Sequence, residues 1–264
     1  MRKGNGRRQF LYLVLPVLLQ WGIGLAVQMA AGLWWTAESD STVKVAVNMQ
    51  QYATELTTVA SAITIPLMGF LFWRDRRGTW TGTERPGCFC ILVLFVMGAA
   101  SCITLNSLLM VSRLTVFSQG YQSVAAAVYE SPFLVQIVGT GILTPVAEEL
   151  TYRGMLFRRM RENVGAPAAI LFSSLVFGIL HGNLVQFLYA FVLGMLLAWV
   201  YEQTERLAVP VLLHMVINLV SLFATRWNFF SWMLESALRT AGVTTVSLLV
   251  AVAMIKIFFT FTRK

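Results

Sequence analysis

Eight apolar runs, separated by short connections that hold most of the charge, set what this chain can fold into. They cover about residues 10–35, 53–73, 88–111, 133–157, 167–182, 184–201, 207–225 and 241–261. A helix needs about 20 apolar residues to cross a bilayer. Inside lipid the backbone must satisfy its own hydrogen bonds, and a helix does so within one segment. Only 12% of residues are charged and 57% are hydrophobic, with a mean hydropathy of +0.70; soluble domains carry about 25% charged residues. The expectation is an all-α polytopic membrane helix bundle of about eight transmembrane helices, with residues 1–264 as a single membrane domain. The start of the chain is basic, but its apolar stretch is too long for a signal peptide and lacks a convincing cleavage site.

The net charge of +8 raises nucleic acid as a partner, but the positions of the charges argue for topology instead. With both termini in the cytoplasm, sixteen of the twenty Lys and Arg fall on the inner side. Lys44, Arg113, Arg226 and Arg239 fall outside, as the positive-inside rule requires. The short loops and small size fit a multi-pass protein of a bacterial cell membrane, with lipid and no nucleic acid as partner. Cys88, Cys90 and Cys102 are an odd set without a second zinc-ligand pair, and read as buried free thiols.

The costly residues are Glu148 and Glu149, adjacent carboxylates inside the fourth run. A charge near the bilayer centre costs about 2.5–3.5 kcal/mol on insertion scales. The chain has two histidines, His181 and His214, both in apolar segments. Asn163-Val164-Gly165-Ala166-Pro167 reads as a turn, with Gly ending one helix and Pro opening the next. That turn is the midpoint between Glu148 and His181, so an antiparallel hairpin would hold them at one height. Arg158 marks the inner edge, which puts Glu148 about 15 Å deep; His214, eight residues past Arg206, lies about 12 Å deep.

Glu149 and Arg153 are four apart and can pair on one helical face. Glu148 points about 100° away and is the better candidate for chemistry. Pro145 is expected to start or kink the helix ahead of it. A Glu beside a His can hold and deprotonate a water. His214 and Asn218, also four apart, can donate to a developing oxyanion. Gly194 and Ala198 read as a close helix-packing face. Two His and a carboxylate could also hold a catalytic zinc, a reading kept as a minor alternative.

The ordered motifs resemble the CPBP family of intramembrane proteases, the CAAX protease and bacteriocin-processing, or Abi, family. They are Glu148-Glu149-x-x-x-Arg153, Phe177-x-x-x-His181 and His214-x-x-x-Asn218. A Phe-x-x-Gly-x-x-x-Gly-x-x-Tyr helix precedes the last, as Phe191, Gly194, Ala198 and Tyr201, with Ala in place of the second Gly. The resemblance covers about 140–222, the expected catalytic core. It implies an intramembrane glutamic endopeptidase without a metal cofactor. Glu148 and His181 would activate water, His214 and Asn218 would stabilise the oxyanion, and Glu149 and Arg153 would support the site. The implied substrate is a membrane-associated peptide or protein tail, such as a bacteriocin or signal-peptide precursor, with a prenylated protein as second choice. The alternative is a non-catalytic immunity or partner-binding protein of the same fold. No His-Glu-x-x-His, Gly-x-Ser-x-Gly, P-loop or Gly-rich dinucleotide motif occurs, and no Cys lies in the motif stretches.

Overall fold

The computed structural model describes residues 6–39, 41–75 and 88–262. Arg76, Arg77 and Arg85, the terminal basic residues and the Cys88 side chain lie outside the described residues, so the charge count on them stays a reading of the sequence. The described residues form an all-α structure. Its long helices are α1 (Gly6–Glu38), α3 (Ala53–Asp75), α4 (Cys88–Val111), α7 (Phe133–Val164), α9 (Leu184–Thr204), α10 (Ala208–Arg226) and α12 (Ala237–Thr262). Shorter ones are α2 (Thr42–Gln51), α5 (Leu114–Phe117), α6 (Gln119–Glu130), α8 (Ala166–Ile179) and α11 (Phe229–Leu234).

Each of the eight apolar runs has its helix, so the expected polytopic α-bundle stands. Seven helices among the described residues are long and apolar enough to cross a membrane. The fifth run gives the short α8, with 14 residues. Several connections are more ordered than their polarity implied. Residues 36–51 extend α1 to Glu38 and then form α2, and 112–131 forms α5 and α6. The supposed polar turn from Tyr201 to Arg206 begins only after Thr204, with Tyr201 buried in α9. The turn after α7 is as expected: Gly165 has φ +80°, which costs a residue without Cβ nothing, and α8 opens at Ala166-Pro167.

Contacts divide the chain into two compact units, Met1–Thr79 with Ala125–Leu175, and Trp80–Val124 with Val176–Lys264. In the first unit α3 packs against α1 and α7. Lipid offers helices no hydrophobic reason to associate, so close approach and interhelical hydrogen bonds must do it. α3 turns a polar stripe to its neighbours. Thr54 donates to the Ala127 carbonyl at 2.8 Å, and Ser61 and Thr144 share a hydrogen bond of 3.2 Å.

In the second unit α4 packs on α10 and α12. Its core joins Leu94 and Met97 of α4, Leu193 and Leu197 of α9, Leu213 and Ile217 of α10, and Phe258 of α12. Gly98 lets α4 approach α10 closely, since a Cβ there would meet Val216 Cγ1 at 2.8 Å. Thr104 donates to Ser247 at 3.0 Å across α4 and α12. Ala198, on the predicted small-residue face, is fully buried. Cys102 is buried, Cys90 half-buried, and both are free thiols.

Candidate active site

The first unit carries the Glu-Glu-Arg motif on α7. This helix is not α-wound throughout: Gln136–Leu143 and Leu150–Phe157 are π-helical, with the α-helical Thr144–Glu149 between them. Pro145 therefore sits in the first turn of an α-helical stretch inside a longer continuous helix. The chain runs on because the π stretch before the proline shifts the carbonyl that its ring would meet and its missing N–H would have bonded. Thr144 N–H accordingly bonds five residues back, to the Gly139 carbonyl. The π winding also packs more residues into each turn, so Glu148 lies less deep relative to Arg158 than the α-helical rise gives.

Glu149 and Arg153 pair as expected. Arg153 Nη1 donates to Glu149 Oε1 at 2.7 Å, with 1% and 0% of the two side chains exposed. Every residue from 149 to 159 is buried, the pattern of a helix surrounded on all sides. Glu148 sits at the edge of that stretch and is half-buried. Thr151 donates to the Ala147 carbonyl at 2.9 Å on the same turns.

At the far end of the buried stretch lies a cluster that the motifs do not include. Arg159 bonds both the Asp75 carboxylate, with Nη2 at 2.5 Å, and the Tyr12 carbonyl. Its guanidinium also stacks 3.8 Å from the Tyr12 ring centroid. Tyr12 donates its hydroxyl to Asp75 at 3.2 Å, and Arg158 Nη2 donates to the Asp75 carbonyl at 3.0 Å. This cluster ties α1, α3 and α7 together below the motif. Its signal in the sequence was a single acid, Asp75, within Arg74-Asp75-Arg76-Arg77.

The second unit holds both histidines. His181 is not inside a helix, because α8 ends at Ile179 and the chain turns through residues 180–183. Gly182 takes φ +81°, and Asn183 then caps α9 by accepting from Gln186 N–H at 2.9 Å. A glycine at 178 keeps this turn tight, since a Cβ would lie 3.1 Å from the Phe187 carbonyl oxygen. His181 Nδ1 is 2.7 Å from the Phe177 carbonyl. A carbonyl only accepts, so Nδ1 carries the proton and donates. In the neutral ring Nε2 is then the basic nitrogen.

Phe177 links the two histidines. Its ring meets His181 edge-on at 4.7 Å between centroids and His214 at 6.1 Å, with interplanar angles of 81° and 88°. His214 is 3% exposed on α10, beside the core residues Leu213 and Ile217. Asn218 follows one turn later and is half-buried. The structure thus joins Phe177, His181 and His214 within one unit, and Glu149 with Arg153 within the other.

Residues 130–220 match the family model described as type II CAAX prenyl endopeptidase Rce1-like. This stretch of the chain is therefore similar to the Rce1-like CAAX protease family. The match contains every motif from Glu148 to Asn218, so the resemblance drawn from those motifs is borne out. A protein of Bacillus subtilis named "Putative membrane peptidase YdiL" is 30% identical over 101 residues, which is 38% of this chain and 41% of that relative. The chain thus spans less than half the length of the curated relative it matches. No solved structure matches the chain. The Rce1-like stretch comprises α7 to α9 and most of α10, with α1 and α4 outside it.

Proposed function

We propose that this protein is an intramembrane endopeptidase that hydrolyses a peptide bond in a membrane-associated peptide or protein tail. Residues 140–222 form its catalytic core. Glu148 and His181 activate the attacking water, with His181 Nε2 as the basic nitrogen. His214 and Asn218 donate hydrogen bonds to the oxyanion that forms as water attacks the scissile carbonyl. Glu149 and Arg153 support the site from within the buried part of α7. The protein sits in a bacterial cell membrane with both termini in the cytoplasm, and its substrate is a precursor such as a bacteriocin or signal peptide.

The observation that carries the reading is the contact of Phe177 with both histidines. It ties two motifs 33 residues apart to one small set of rings, as a working site needs and as scattered packing histidines would not. The π-helical stretch beginning next to the Glu pair points the same way, since such turns occur frequently at functional sites.

The test compares wild type, Glu148→Gln and His181→Ala in the native host, by mass spectrometry of membrane-associated and secreted peptides. A peptide trimmed only by wild type, with both variants inserted normally, is the expected result. Removing either the carboxylate or the imidazole is expected to lower turnover by at least about 10²-fold, the lower range of general-base effects. Equal profiles, with both variants rescuing the phenotype of a deletion, would instead indicate a binding or immunity protein. A chelator is expected to leave turnover unchanged. Loss on chelation and recovery with zinc would replace the glutamic mechanism by a metal-dependent one.

A further inference from the structure

Away from the motifs, α1 and α2 frame a cleft of about 350 Å³. That volume is within the range of small-molecule sites, about 300–1,000 Å³. Its walls include Trp35 and Glu38 from the last turn of α1, and Val43, Lys44, Val47 and Asn48 from α2. The frame is locally fixed. Ser41 accepts from Lys44 N–H at 3.4 Å to cap α2, and the Trp35 ring packs on Tyr52 with centroids 5.6 Å apart. On α2 the residues fall in two rows four apart, Val43 with Val47 and Lys44 with Asn48. The two valines are 70% and 55% exposed.

The cleft carries one negative and one positive side chain. Glu38 and Lys44 form no ion pair among the described residues, either with each other or elsewhere. A seat with both charges held apart repels a plain anion at Glu38 and a plain cation at Lys44. It suits a ligand that is itself dipolar. Its place in the fold names the source. α1 is an apolar span that ends at Glu38, and a Trp at the end of such a span sits at headgroup level. The exposed valines then face the upper acyl region.

We propose that this cleft binds the headgroup of a zwitterionic phospholipid, specifically a phosphatidylethanolamine. The ammonium lies against the Glu38 carboxylate and the face of Trp35, and the phosphate against the Lys44 ammonium and the Asn48 amide. A primary ammonium can donate hydrogen bonds to a carboxylate, whereas a quaternary one relies on a cage of several aromatic rings. One Trp and one carboxylate therefore select ethanolamine over choline. This site does not depend on the protease reading.

The test uses the full-length protein in detergent and native mass spectrometry. The probes are phosphatidylethanolamine, phosphatidylcholine, phosphatidylglycerol and diacylglycerol of equal acyl chains. The expected result is retention of phosphatidylethanolamine above the other three. Glu38→Gln and Lys44→Gln should each lower it by about tenfold, the effect of losing one charge-assisted hydrogen bond. Unchanged elution and melting of the variants separates lost binding from lost folding. Soluble phosphoethanolamine tells the sources apart. Weak competition is expected if the lipid is the ligand, and displacement at equal concentration would assign the cleft to a free phosphoamine and overturn the lipid assignment. Equal retention of all four lipids, or wild-type retention by both variants, overturns the site itself.

Discussion

Glu149 and Arg153 hold opposite charges where neither side chain is more than 1% exposed. Removing one partner takes the opposite charge away from the other in a buried place, at a cost of about 3–5 kcal/mol. Replacing both by apolar or neutral groups of similar volume is often close to neutral. Glu149→Ala and Arg153→Ala are therefore expected to melt well below wild type in detergent. The double variant Glu149→Gln with Arg153→Met should melt above either single one. Losses that simply add would show that the two side chains do not act as a pair. Glu148→Gln belongs to a different class. Its side chain is half-buried at the edge of the buried stretch, so its melting temperature should stay near wild type while turnover falls. Such a separation of stability from activity would mark the adjacent carboxylates as a structural one and a chemical one.

At the scale of the helix, α7 depends on how closely it can approach α3. Gly139 lies in the first π-helical stretch, and a Cβ there would come 1.9 Å from Thr58 Oγ1. That hydroxyl cannot easily turn aside, because it donates to the Thr54 carbonyl at 2.7 Å. Gly139→Ala should destabilise the protein by about 1–3 kcal/mol, the usual cost of overpacking. Adding Thr58→Ala removes the nearest atom and should recover a good part of the loss, as read by thermal unfolding. Equal melting of the single and double variants would mean the two helices do not meet there. None of this contact was legible in the sequence, because π winding leaves no periodic apolar pattern and a glycine names no partner. The apolar runs themselves were legible, since all but the fifth have the length and composition that a helix crossing lipid needs. So was the Glu149–Arg153 pair, because a spacing of four fixes a shared face. The end of α8 was missed because Leu180 continues the apolar run past Ile179, where only Gly182 hinted at the turn that presents His181. The Asp75–Arg159 pair was missed because 84 residues separate its members.

For the whole molecule, the sidedness of the C-terminus turns on one short helix. Among the described residues seven helices qualify as spans by length and composition, and seven crossings would put the two termini on opposite sides. The fourteen residues of α8 rise about 21 Å, less than the roughly 30 Å of a hydrocarbon core. Length alone therefore argues against an eighth crossing, while charge argues for it. If α8 does not cross, Arg206, Lys256, Arg263 and Lys264 move to the outer side and only Arg226 and Arg239 move in, against the positive-inside rule. A short helix can still cross where the bilayer thins around it, at fractions of a kcal/mol per Å. Reversing the charge bias of three segments runs against the term that sets orientation. We therefore expect eight crossings. A fluorescent protein fused at Lys264 should fold and glow in the cytoplasm, as should one fused ahead of Met1, and alkaline phosphatase fused at Lys264 should stay inactive. An active phosphatase at Lys264 with a fluorescent N-terminal fusion would mean an odd number of crossings. α8 would then be an element that enters the membrane without spanning it, and the charge count would have misplaced every residue from Arg206 onward.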